Sequence, residues 1–354
     1  MESNMNKTLI TVNGRTCENE GILWLTMSAS GVSFKTLNAK HCKFSLKGDR
    51  TAEEDGDRAH RAWFEILVDG KTVCRDEMDT SDKTVVAFEN DLPGDHEVRL
   101  IKLTESTSSL LGIREIDSDG TILPVEMPEK KLLVIGDSIT CGYGVNGDLT
   151  QQFMTATEDA TAAYGWLTAQ ELGMDVQLVS FSGFGIISGY TDNGEINDLC
   201  LVPTYYGKCG LNTYTFPDGK QAQDQPWDFE QYNADWIIVN LGTNDLSYCL
   251  EDTRKKEWYR DEYAKFLKTV RRHDPKANIL CILGIMGTGL NTYMSDAVRK
   301  HSLETGDQKI RALELAEQDQ QADGVGTNWH PSRVTQKKLA ERVSGAIRQW
   351  MAEG

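Results

Sequence analysis

From about residue 8 to residue 120 the apolar positions fall in short runs rich in β-branched and aromatic side chains. Trp63-Phe-Glu-Ile-Leu-Val-Asp-Gly70, Thr84-Val-Val-Ala-Phe88 and Glu97-Val-Arg-Leu-Ile-Lys-Leu103 are the clearest. Runs of this length, separated by turn residues, predict strands. Asp69-Gly70 suits a two-residue hairpin, and Leu92-Pro-Gly-Asp95 suits a second turn. Strands at this spacing, with no helical pattern among them, predict an all-β jelly-roll sandwich over residues 1–122. Residues 123–130 carry two prolines and several charges and read as a linker.

From Lys131 onward the period changes. Leu132–Ile135, Val176–Phe181, Trp236–Asn240 and Ile279–Leu283 are continuous apolar runs of the kind buried in a parallel sheet. Between them lie helical stretches. In Glu257–Arg272 apolar residues recur at helical spacing until Pro275. A last helix follows Pro331-Ser332, with Val334, Leu339, Val343, Ile347 and Trp350 on one stripe. Residues 131–354 therefore predict a three-layer α/β domain on a parallel sheet.

Composition narrows the function. The chain has 354 residues, 39% of them hydrophobic, and a formal net charge of −17. That charge argues against nucleic acid and anionic membrane as partners. No apolar run approaches the ~18 residues that span a bilayer. Met1-Glu-Ser-Asn-Met-Asn-Lys7 lacks the basic-then-apolar start of a secretory signal. The eight cysteines form no C-x-x-C pair and read as free thiols of a reducing compartment. The expected location is the cytoplasm. Oligomeric state has no signature.

The stretch Lys131–Asp148 carries the candidate chemistry, and it supports two readings. Gly142-Tyr-Gly144-Val-Asn-Gly147 has the letters of a dinucleotide fingerprint. That motif needs its first glycine at the strand end and an acid closing a second strand about 20 residues later. Here the strand ends at Ile135, and Glu158 and Asp159 sit in a polar, helix-like segment. The other reading places Ser138, in Gly136-Asp-Ser-Ile-Thr140, at the carboxyl end of the first parallel strand. A serine there is a nucleophile or a helix cap.

The rest of the chain decides between nucleophile and cap. His330, in Asn328-Trp-His-Pro-Ser332, follows a glycine-bearing loop and precedes a helix, so it is the candidate base. Gly183 and Asn244 each follow another strand and offer an N–H and an amide to a developing oxyanion. The segment Tyr190–Trp227 carries Tyr205, Tyr206, Tyr214, Phe216 and Trp227, aromatic faces on which sugar rings could stack.

Gly136-Asp-Ser138, Ser182-Gly183, Gly242-Thr-Asn244-Asp245 and His330-Pro331, in this order, resemble the four blocks of SGNH (GDSL-type) hydrolases. The β domain ahead of them, Trp227-Asp-Phe229 and Trp329-His330-Pro331 are similar to carbohydrate esterase family 2. The resemblance implies a flavodoxin-like, three-layer SGNH domain after a jelly-roll sandwich. It also implies a serine esterase that removes O-acetyl groups from xylan- or mannan-type saccharides, without metal or cofactor. Ser138 would be the nucleophile and His330 the base. The Ser138 N–H, Gly183 and Asn244 would form the oxyanion hole. One block departs from the family pattern: the aspartate usual three residues before the histidine is Thr327 here. Candidates to orient His330 are the main-chain carbonyl of Trp329 or a neighbour, Asn328, or Asp323. Trp329 and Trp227 are the candidate substrate contacts. The alternatives are a lipase, thioesterase or arylesterase on the same domain, or a non-catalytic carbohydrate-binding relative.

Overall fold

The computed structural model describes residues 7–353, so residues 1–6, on which the expected absence of a secretory signal rests, lie outside the described residues. The chain divides into two compact units. The first comprises the residues up to Met127 together with 153–160 and 208–227. The second comprises 128–152, 161–207 and the remainder from Asp228.

In the first unit the described strands form one nine-stranded antiparallel sheet. Its spine is a pair of long strands, Gly31–Gly48 and Asp82–Lys102, joined along their length with register shifts between Thr36 and Lys43. Those irregularities let the pair bend, because a bulge adds local twist. The sheet thereby curls over one core that includes Phe34, Phe44, Phe64, Ile66, Val98 and Leu100. The sandwich expected from the strand spacing is thus a single curled sheet.

The Asp69-Gly70 hairpin forms as expected: both residues have positive φ, 51° and 73°, between strands Trp63–Val68 and Lys71–Glu77. The expected turn at Leu92–Asp95 does not form, because the strand Asp82–Lys102 runs through it. Pro93 lacks an N–H to donate, yet it lies where the ladder is already irregular, next to the Ala39–Gly94 pair. Thr121–Pro124 is also a strand, paired with Phe34–Leu37, so the first two residues of the expected linker are sheet.

The second unit is built on five parallel strands: β1 (Lys131–Gly136), β2 (Asp175–Ser180), β3 (Trp236–Asn240), β4 (Asn278–Leu283) and β5 (Ile310–Glu314). Their order is β2-β1-β3-β4-β5, the flavodoxin-like arrangement. Leu132 through Gly136 are all buried, which explains their unbroken apolar run. β5 was not visible in the hydrophobic pattern. It is an edge strand, paired only with β4, and Arg311, Ala312 and Glu314 are exposed.

The helices used below are α1 (Ser138–Cys141), α2 (Tyr164–Leu172), α3 (Thr243–Cys249), α4 (Thr253–His273) and α5 (Arg333–Glu353). On α5 the buried stripe is Thr335, Leu339, Val343, Ile347 and Trp350, while Val334 is exposed. Among the described residues no helix is long and apolar enough to cross a membrane. The two neighbours of β1 are β2 and β3, with crossovers leaving in opposite directions. Open α/β sheets bind ligands at the strand carboxyl ends beside such a switch point.

Candidate active site

The end of β1 is shaped to deliver Ser138. A Cβ at Gly136 would lie 2.0 Å from the Thr140 hydroxyl, so only glycine lets the chain turn this tightly. Asp137 caps α1, accepting from the Ile139 N–H at 3.0 Å. Its carboxyl is fully enclosed, and burial pushes its pKa up to about 7. Ser138 is then the first residue of α1, 5% exposed.

His330 arrives from a loop that the chain ties down on both sides. Thr327 N–H donates to Gly144 O at 3.0 Å, and Gly326 N–H donates to His330 O at 2.8 Å. Gln336 of α5 bridges α1 and α2, donating to Ile139 O at 2.9 Å and accepting from Tyr164 N–H at 2.8 Å. The result is a direct contact: His330 Nε2 lies 2.8 Å from Ser138 Oγ.

The other ring nitrogen faces main-chain carbonyls next to Trp329, one form of the expected orienting group. Nδ1 faces the main-chain carbonyls of Thr327 and Asn328, both at 3.2 Å. The Trp329 carbonyl is taken instead by the Gln318 amide at 2.7 Å. The Asn328 side chain donates to the Tyr143 hydroxyl at 3.0 Å. Asp323 pairs with Lys338 at 2.5 Å, a contact that uses its carboxylate away from the imidazole. A carbonyl oxygen only accepts, so Nδ1 carries the proton and Nε2 presents its lone pair to the serine hydroxyl. Burial pushes the imidazole pKa down to about 4, against the two carbonyls, which raise it.

Asn328 and Trp329 both have positive φ, 52° and 66°. For a bulky side chain this conformation is strained, by about 1–3 kcal/mol. It aims two consecutive carbonyls at His330 while leaving the Trp329 ring 55% exposed.

Ser138, Gly183, Asn244 and His330 line one cleft of about 730 Å³, with Tyr143, Tyr190, Leu246, Leu250, Met286 and Trp329 among its walls. Gly183 has φ 82°, and a side chain there would meet nothing within 4 Å. Asn244 donates one amide hydrogen to Phe184 O at 2.8 Å. The Tyr143 ring lies 4.3 Å from the His330 ring.

Trp227 does not line this cleft. It belongs to the first unit, 7% exposed, with Arg15 over its ring at 5.1 Å. Tyr214 and Phe216 also pack there, against Trp24. Tyr205 meets Phe181 and Phe184 edge to face, and Tyr206 packs tilted against Phe229 and edge to face against Phe266. Of the aromatic-rich segment 190–227, Tyr190 lines the cleft.

Asp245 is a residue whose part the sequence did not reveal. Its buried carboxyl accepts from the N–H groups of Ile186, Ile187 and Ser188 at 2.7–3.2 Å, pinning the loop that carries Gly183. A Cβ at Gly185 would lie 2.6 Å from that carboxyl. Asp245→Ala strands three buried donors at about 1 kcal/mol or more each. Chemical denaturation should therefore show a loss on the order of 3 kcal/mol. An unchanged midpoint would refute the pinning.

A family model described as the GDSL-like lipase/acylhydrolase family matches residues 134–342, and one described as carbohydrate esterase 2 N-terminal matches residues 12–128. The cellulase/esterase CelE of Acetivibrio thermocellus is 31% identical over 294 residues, 81% of this chain. The chain spans only 34% of the length of CelE. An acetylxylan esterase / glucomannan deacetylase of Cellvibrio japonicus is 28% identical over 344 residues, 97% of this chain and 89% of that one. A solved family two carbohydrate esterase from Clostridium thermocellum, in complex with cellohexaose, superposes with a TM-score of 0.80 at 27% identity, covering 97% of this chain and 99% of that one. These relatives are carbohydrate esterases. The chain belongs to the GDSL-like lipase/acylhydrolase family, in its carbohydrate esterase family 2 branch, a group of carboxylic ester hydrolases.

Proposed function

We propose that the protein is a serine esterase that removes O-acetyl groups from xylan- or mannan-type saccharides through an acyl-enzyme. The observation that carries this reading is the 2.8 Å contact between Ser138 Oγ and His330 Nε2 at the floor of an open cleft. The names of the Cellvibrio relative supply the substrate class.

In the first step His330 takes the Ser138 proton while Oγ attacks the acetyl carbonyl. Negative charge then develops on the carbonyl oxygen. The Ser138 N–H, the Gly183 N–H and the second amide hydrogen of Asn244 are the donors for it. Each such donor lowers the barrier by about 3 kcal/mol. As the bond from the acetyl carbon to the sugar oxygen breaks, His330 returns the proton to that oxygen, and water repeats the sequence to release acetate. A carboxylate behind the histidine chiefly holds its tautomer and orientation. The Thr327 and Asn328 carbonyls do the same here, which supports activity without that carboxylate.

The low imidazole pKa has a direct signature. Only neutral His330 can act as base, and it stays neutral down to about pH 4 in the free enzyme. kcat/KM should therefore hold through mildly acidic pH and fall with an apparent pKa near 4. An acid limb near the ordinary histidine value would contradict the desolvation of His330 in the cleft.

The alcohol leaving group must lie beside His330, and the exposed Trp329 ring is the neighbouring face for a sugar. Trp329→Ala should raise KM for oligosaccharides by about two- to tenfold and leave kcat on an aryl acetate nearly unchanged, since an aromatic contact is worth about 0.5–1.5 kcal/mol. Equal losses on both substrates would move Trp329 out of the sugar site. Leu246, Leu250 and Met286 give the cleft an apolar wall, which favours a second reading in which acyl groups longer than acetyl also enter. The deciding experiment is mass spectrometry of acetylated xylo- and manno-oligosaccharides incubated with the protein. Loss of one acetyl mass per event supports the main reading. Turnover of butyryl as well as acetyl esters supports the second.

A further inference from the structure

We propose that the first unit carries a second, non-catalytic binding site for neutral saccharides. It is an open pocket of about 560 Å³ whose walls include Arg50, Asp55, Asp57, His60, Thr107 and Tyr214. That volume lies in the range of small-molecule sites. It shares no residue with the Ser138 cleft.

The walls are held from behind by buried polar groups. Asp49, 3% exposed, accepts from Thr51 N–H at 2.9 Å, Thr51 Oγ1 at 2.6 Å and Leu110 N–H at 2.7 Å. This fixes the Arg50–Ala52 turn on one side. Asn212, 6% exposed, donates to Ser106 O at 2.7 Å and accepts from Tyr214 N–H at 2.8 Å, fixing the other. A buried carboxylate is costly to desolvate, and a merely hydrated surface does not need one.

Tyr214 is held as a plane. Its ring lies 5.3 Å from Trp24 and 5.7 Å from Phe216, so the half-buried side chain keeps one orientation in the wall. Asp57 hydrogen bonds His60 at 2.8 Å, which fixes the imidazole, a second ring of the lining. A fixed aromatic ring takes the C–H face of a pyranose. Carboxylates and a guanidinium take adjacent hydroxyls in pairs. The acidic walls, on a chain of net charge −17, disfavour an anionic ligand. An uncharged polyhydroxylated ligand satisfies all of these groups.

The pocket has a history in the sequence. Tyr214 and Asn212 come from residues 208–227, a segment that lies in the sequence between strands of the second unit but packs with the first.

The site is tested on the full chain by calorimetric titration with unacetylated xylohexaose and mannohexaose. Two binding events are expected. The double variant Arg50→Ala/Asp55→Ala changes two exposed side chains, and should weaken one event at least tenfold and spare the other. Trp329→Ala should do the reverse. A single event that disappears with Trp329→Ala, or titrations indifferent to Arg50→Ala/Asp55→Ala, would overturn the proposal. So would an event abolished by a chelator, which would make the pocket a cation site. The proposal does not rest on Ser138 chemistry: absent acetate release would leave the second isotherm in place, and an absent isotherm would leave acetate release in place.

Discussion

Ser138→Ala should lower kcat/KM for acetate release by about 10⁴- to 10⁶-fold, and adding His330→Ala should cost almost nothing more. In the proposed mechanism the two groups act as one unit, because the hydroxyl is a poor nucleophile until the imidazole 2.8 Å away takes its proton. Once the hydroxyl is gone, the imidazole has nothing to activate. What survives is the residual rate from oxyanion donors and substrate positioning. Saccharide affinity should stay within about twofold, since neither change enlarges or fills the sugar face proposed at Trp329. Independent, additive losses in the double variant would mean that His330 works on something other than Ser138.

Asn244→Ala is expected to lower kcat by about 10²- to 10³-fold with little change in KM. The amide has two hydrogens. One is committed to Phe184 O at 2.8 Å, which orients the group and ties it to the residue next to Gly183. The other is free to meet charge that exists only in the transition state, and such an interaction appears in kcat. The lost Phe184 bond has a separate cost of about 1 kcal/mol in stability, readable by denaturation. A kcat loss no larger than that stability cost implies would remove Asn244 from the oxyanion hole.

The parts of the site that could be read from the chain share a physical cause. Ser138, Gly183 and Asn244 each end or follow an apolar run, because a buried parallel strand leaves its functional residue at the sheet edge. His330 stands before a proline that begins a helix. The partner of His330 left no trace, since main-chain carbonyls have no letter and depend on left-handed Asn328 and Trp329. β5 escaped because an exposed edge strand need not be apolar. Trp227 lies outside the cleft for a third reason. An aromatic cluster declares that it will be buried, and not which core will bury it. Proline and glycine at 93 and 94 signalled a turn locally, but the strand pairing with Gly31–Gly48 overrode them.

The discontinuity of the first unit has a consequence for synthesis on the ribosome. Trp24 and Arg15 emerge early, but the rings that cover them, Tyr214, Phe216 and Trp227, lie about 200 residues downstream. At ~5–20 residues per second the nascent chain waits on the order of 10 s or more with that surface uncovered. Chaperone occupancy of the growing polypeptide should therefore persist until translation has passed Trp227, and a gene truncated after Met127 should yield an aggregating product.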